Sequence, residues 1–291
     1  YALSSITNGD DNVAIGTYAL ANSTSGSYNI AIGKNALQAL NYDNDNIAIG
    51  YNTLGINGNG NTVSGNISIG NHSLYSNTSG RYNTSMGHKA LFSNTTAYYN
   101  TAVGTKALYD ANRTSDTDGY NVAVGYFAGN TGSNDITTGN KNTLIGAQTA
   151  ASAAAGTNQT VIGYGASGHG NNIAVIGNTD MTAWHPADDN GVDLGSSSYE
   201  FKNVYVDGIT YTDALGFGSI SMTLPTSDGS ANQVLKTDGS GTLSWTTPSS
   251  GSVTSVSGTG TINGLTLTGT VTTSGNLSLG GTLAINNGDW S

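Results

Sequence analysis

The chain has 291 residues, of which 42 are Gly; 9% are charged, 36% are apolar, and none is Cys. Disulfides and thiolate metal sites are excluded, and the regular placing of the apolar residues argues for order rather than disorder. The net charge of −10 comes with only 8 scattered Lys and Arg and a single Glu, Glu200, so no basic stripe exists for nucleic acid, and no apolar run is long enough for membrane insertion.

Residues 1–178 read as a tandem repeat. The unit is Asn, large apolar, small, large apolar, Gly, as in Asn12–Gly16, Asn29–Gly33, Asn46–Gly50 and Asn83–Gly87. The closing glycines step by 17, 17, 20, 17, 17, 21, 21, 17 and 14 from Gly16 to Gly177, and the variation sits in polar stretches between units. Tyr1-Ala2-Leu3 matches Tyr18-Ala19-Leu20, so the chain is expected to open in mid-repeat as a piece of a longer one. No leader pattern opens it.

Five residues suit a strand and not a helix. Val13 and Ile15 then point one way and Ala14 the other. Neither face carries charge, so both are expected to be covered: the small side by the inside of a coil, the large side by a partner chain. The predicted structural positions are Asn12, Ile15 and Gly16; Asn29, Ile32 and Gly33; Asn46, Ile49 and Gly50; and Asn83, Met86 and Gly87. Gly closes each strand at a corner needing positive φ or close approach. Asn stacks as a ladder between coils, makes an Asx-turn at its corner, or does both. The "AL" that follows, as at Ala19-Leu20, is a second short strand or a turn. Ten coils at about 4.8 Å give a rod of roughly 50 Å.

"NVAIGTYAL" (12–20) and its copies resemble the head repeats of trimeric autotransporter adhesins. The resemblance implies a left-handed parallel β-roll in a three-chain bundle, although the unit in that family is shorter.

The pattern changes after Asn178. "TAWHPADDNGVDLGSSSYEFKNVYVDG" (182–208) resembles a junction segment of phage tail fibres and tailspikes, with Glu200 where many such segments have Arg. Residues 179–215 are read as a capping junction in which Trp184, Pro186, Leu194, Phe201 and Tyr205 take part; Trp184 and Phe201 would plug the open end of the roll. Residues 216–250 contain "NQVLKTDGSGTLSW", also similar to phage fibre sequence, and predict a β-hairpin connector with Val234-Leu235 and Leu243–Trp245 as strands. Residues 251–291, rich in Gly and Thr, read as short strands of an intertwined three-chain shaft and stop without an obvious natural end.

Chemistry is sparse. Asp10-Asp11, Asp43 with Asp45, Asp116 with Asp118, and Asp188-Asp189 are the only close carboxylate pairs in sequence, all in Asn/Gly/Ser-rich turns where Asp serves the backbone. Residues 115–121, "SDTDGYN", have part of a calcium loop without its late Glu. Calcium bound between chains stays open; no other cofactor is expected. His72, His88, His169 and His185 lack metal-ligand spacing. Tyr42, Tyr82, Tyr98, Tyr99 and Tyr120 lie among Asn and Asp near the loops. They either contact sugars or wall the roll.

The expected protein is therefore all-β: an elongated homotrimeric fibre, with a parallel β-roll, a β-rich junction and an intertwined shaft. The resemblance implies a structural and adhesive role in a virion tail fibre, with two identical chains, other tail proteins and a host surface polysaccharide or protein as partners. A bacterial trimeric surface adhesin and a tailspike-type polysaccharide depolymerase are the alternatives.

Overall fold

The computed structural model describes residues 1–38, 43–55, 63–114, 118–187, 192–210, 212, 214–217, 220–248, 261–262, 265–268 and 278–280. Tyr42, Asp116, Asp188 and Asp189 lie outside the described residues. The described residues contain no helix, and the chain divides into two units, Tyr1–Asn190 and Gly191–Ser291. That boundary falls inside the segment read as a capping junction.

Unit one is a parallel β-solenoid. Its ten strands are β1 (Val13–Ile15), β2 (Ile30–Ile32), β3 (Ile47–Ile49), β4 (Ile67–Ile69), β5 (Thr84–Met86), β6 (Thr101–Val103), β7 (Val122–Val124), β8 (Thr143–Ile145), β9 (Thr160–Ile162) and β10 (Ala174–Ile176). They pair in chain order, every pair parallel and in register, so that Ala14 meets Ala31 and Ile15 meets Ile32. Insertions of three or four residues between units do not disturb this register. The one between β7 and β8 falls between one coil's turn and the next coil's Asn, at residues exposed or half-buried.

The interior of the coils is small. Ala31, Ala48, Ala102 and Ala123, at strand centres, are 0% exposed. The "AL" element is a turn: Ala19 N–H bonds back to Gly16 O at 3.2 Å, and Leu20 N–H crosses to Ala36 O of the next coil at 3.1 Å. Its Leu supplies most of the core volume, with Leu20, Leu37, Leu74, Leu91 and Leu108 fully buried. Those leucines sit at φ of 49–51°, a left-handed conformation that costs a non-Gly residue about 1–2 kcal/mol. Burial of a Leu side chain, worth about 1.5–3 kcal/mol, offsets it.

Volume is conserved along the roll. After β7 the Leu position becomes Gly129, and a Cβ there would lie 2.9 Å from Leu108 and 3.0 Å from Leu144. The lost Leu is replaced by Leu144 at the centre of β8, Val161 at the centre of β9, and Ile136 from a loop, all 0% exposed. In β4 and β5 the centres are Ser68 and Ser85. Their hydroxyls pair with Thr53 at 2.8 Å and Ser73 at 2.5 Å, so the buried oxygens are satisfied.

The leading asparagines form the ladder. Asn29 Oδ1 accepts Asn46 N–H at 3.0 Å and Nδ2–H at 3.1 Å, while Asn29 Nδ2 donates to Asn12 Oδ1 at 3.2 Å and Asp43 O at 2.7 Å. The pattern repeats through Asn66, Asn83, Asn100, Asn121 and Asn142, and ends where Gln159 takes the place of Asn. Gln159 is one methylene longer and folds back onto Ser152 instead. The corner glycines also stack. Gly87 has φ 142°, and an added Cβ would lie 2.4 Å from Gly104 O, so no other residue fits.

In unit two, β11 (Ala214–Phe217) and β12 (Ile220–Thr223) form one antiparallel hairpin, and β13 (Val234–Thr237) and β14 (Leu243–Thr246) the one expected from sequence. The turn between β13 and β14 is held by Asp238, whose carboxylate accepts Ser240 N–H at 2.8 Å and Thr242 N–H at 3.0 Å. These donors hold its pKa down at about 2. Trp245 lies over Gly229 and donates Nε1–H to Ser227 O at 2.8 Å. The strands β15 (Thr261–Ile262), β16 (Leu265–Thr268) and β17 (Ser278–Gly280) pair antiparallel.

Candidate functional site

The roll presents three surfaces with possible function, each set by position within the coil. The first is the outer face of the strands. The residue before each corner Gly is Ile15, Ile32, Ile49, Ile69, Met86, Val103, Val124, Ile145, Ile162 or Ile176, large and apolar in all ten coils. None is buried in one chain, and Ile15 is 59% exposed. Nine steps of about 4.8 Å and a width of about 7 Å make an apolar strip of about 300 Å². That is the size of the largest apolar patch on a typical monomer, concentrated in one straight line.

The second is an aromatic stack at the position before the ladder Asn. Tyr82, Tyr99 and Tyr120 stack at 5.4 and 5.0 Å between ring centroids, within 7° of parallel. Tyr82 in turn lies on the Cα of Gly65, where a Cβ would come within 2.6 Å of the ring. All three tyrosines have left-handed backbones, with φ of 56°, 60° and 46°. Tyr98 stands edge-on to Tyr99 at 6.1 Å. Both faces of Tyr99 are covered, so this ring offers its edge and hydroxyl and not the open face that a sugar needs. The structure thus joins three of the five tyrosines as a brace between coils, with Tyr98 against them.

The third surface lies beyond the corner Gly and was not singled out in the sequence. Tyr75, Phe92 and Tyr109 stack at 5.2 and 4.9 Å. Lys89 sits 5.6 Å over Phe92; Lys106 sits 5.6 Å from Tyr109 and 4.7 Å from Phe127. His72 contacts Tyr51 and Tyr75 edge-on. Burial, followed by the charges of Lys89 and His88, pushes its pKa below the usual histidine value, and its Nδ1 has no hydrogen-bond partner. The signal in the sequence was an aromatic five residues after the corner Gly in three successive coils.

Where this stack stops, a groove of about 440 Å³ opens. The residues that would continue the aromatic column become Asn130, Ala151 and Gly168, and the groove's small lining residues are Ala150, Gly165 and Ser167. Tyr126 and Phe127, 4.4 Å apart with planes tilted by 54°, also line it. So does the loop inserted after β7, through Thr131, Ser133 and Asn134. Next to this loop Asp110 accepts Asn130 Nδ2–H at 2.8 Å. Burial, opposed by that hydrogen bond and reinforced by nearby Asp135, raises the Asp110 pKa. Neither carboxylate lines the groove.

Of the junction residues, Trp184 and Pro186 belong to the first unit and Leu194, Phe201 and Tyr205 to the second. Trp184 is 71% exposed, Leu194 70%, Phe201 57% and Tyr205 90%; Pro186 is exposed too. Among the described residues no three His, Cys, Asp or Glu converge where a metal could sit, and residues 115–117 of the calcium-like stretch lie outside them. No helix of the described residues is long and apolar enough to cross a membrane. No protein-family model, curated protein or solved structure matches the chain.

Proposed function

We propose that the chain is a segment of a homotrimeric virion tail fibre with a structural and adhesive role. The observation that carries the assembly is the ten-member apolar column. The column sets Ile, Val and Met in one line on ten successive coils, none of them buried in one chain, and rods of the same length and spacing would cover such an edge. Identical chains meet that demand. The rod then works as a spacer, and its loops and outer aromatics are the surfaces left to meet a host polysaccharide or protein. The virion assignment rests on residues 182–208 and 226–250, which resemble fibre sequence.

The bacterial surface adhesin is the second reading, favoured by the roll repeat itself. Gold-labelled antibody against the purified chain separates them under the electron microscope. Label on particle fibres supports the virion reading, and label on bacterial cells supports the adhesin.

A further inference from the structure

The groove between coils seven and nine has the composition of a binding site and the rigidity of the roll beneath it. Its volume of about 440 Å³ lies within the roughly 300–1,000 Å³ of small-ligand sites. The loop that borders it is fixed at both ends. Asn130 N–H bonds to Phe127 O at 3.0 Å, Gly132 N–H to Asp135 Oδ1 at 2.6 Å, and Ile136 N–H to Gly129 O at 3.0 Å, with the Ile136 side chain fully buried. A ligand would not have to order this loop, which removes a main cost of binding.

The chemistry of the lining is specific. No lining side chain carries a charge. Tyr126 is 53% exposed and, unlike Tyr99, is not sandwiched in a parallel stack. The side chains of Thr131, Ser133, Asn134 and Gln148 make no hydrogen bond to any described residue, although they border the same space. An aromatic surface next to uncommitted amides and hydroxyls matches a ring with apolar C–H faces and a rim of hydroxyls. The lining side chains offer a charged ligand no ion pair, and Lys106, the cation beside the lining residue Phe127, is engaged over that ring at 4.7 Å.

We infer that this groove binds a neutral pyranose unit of a glycan, with Tyr126 against the sugar ring and Asn134, Gln148 and the loop hydroxyls on its rim. This deepens the adhesive part of the proposed function and gives it an address within one chain. The test is saturation-transfer-difference NMR on the purified assembly. The probes are the methyl glycosides of glucose, galactose, mannose and N-acetylglucosamine, with methyl glucuronoside as the charged comparison. At least one neutral glycoside is expected to bind, and Tyr126→Ala and Gln148→Ala are each expected to weaken it tenfold or more. Tyr28→Ala, on an exposed tyrosine of a distant coil, is expected to leave binding unchanged. Absence of binding by every neutral glycoside, equal binding of the glucuronoside, or binding that survives both groove substitutions overturns the site. The mass of the assembly is measured on the same samples. A trimer that binds no glycoside overturns the groove and leaves the fibre reading standing; a monomer that binds supports the groove and removes the trimer.

Discussion

Replacing Asn83 with Ala tests the ladder at its middle. Asn83 is 0% exposed and makes four side-chain hydrogen bonds. Its Oδ1 accepts Asn100 N–H at 2.9 Å and Asn100 Nδ2–H at 3.2 Å. Its Nδ2 donates to Asn66 Oδ1 at 3.2 Å and Ala97 O at 2.9 Å. The two acceptors keep another donor each: Asn66 Oδ1 keeps Asn83 N–H, and Ala97 O keeps Asn94 Nδ2–H. The two Asn100 donors lose the oxygen they share. A stranded buried donor costs about 1–3 kcal/mol, so the substitution should cost about 2–6 kcal/mol in all. Asn83→Asp should cost at least as much, because a carboxylate would face Asn66 Oδ1 and Ala97 O. The assay is guanidinium unfolding together with hydrogen exchange at the Asn100 amide, which should speed up at least about tenfold. A stability change under about 0.5 kcal/mol with unchanged exchange at Asn100 would refute the ladder as a source of stability.

Gly87→Ala places a Cβ 2.4 Å from Gly104 O at φ 142°, whereas Gly132→Ala, at φ 87°, meets nothing within 4 Å. The first should cost about 3 kcal/mol or more and the second about 1–2 kcal/mol, and equal losses in thermal unfolding would contradict the corner-stack account. Asp43 is 1% exposed, its carboxylate accepts Val63 N–H, and burial raises its pKa from 3.8 to about 6. The folded state thus holds the proton more tightly than the unfolded state. The stability this gives is complete below pH 3.8 and is lost as pH rises to about 6, by about 3 kcal/mol. Asp43→Asn keeps an acceptor for Val63 and removes the charge, so its stability should be flat across that window; a slope matching the parent would show that Asp43 is not its source.

Much of the roll was legible because its signals are local and repeated. Asn, the alternation in Val13-Ala14-Ile15 and the corner Gly each report one backbone demand, and the chain states it about ten times. The Leu of "AL" was harder. Its burial depends on a left-handed φ near 50°, a conformation that side-chain preferences argue against and that only the closure of the coil imposes. The exchange of Leu for Gly129, with Leu144, Val161 and Ile136 filling the space, joins positions on three coils and has no local signature. The same holds for the surfaces. The five tyrosines were chosen for composition, yet stacking depends on which coil position each occupies. Tyr82, Tyr99 and Tyr120 share one position and cover one another. Tyr126, in a different position, faces a groove. The junction aromatics show in the sequence only as apolar residues, and what covers them is a property no single-chain pattern specifies.

The central claim is that the apolar column from Ile15 to Ile176 is covered by two further copies of the same chain. Native mass spectrometry of the purified protein tests it directly. One species is expected at three times the 29.5 kDa chain mass, and it should be lost when Ile49 and Ile69, half-exposed neighbours in the column, are both changed to Asp. A stable 29.5 kDa monomer, or a trimer indifferent to both substitutions, would contradict it.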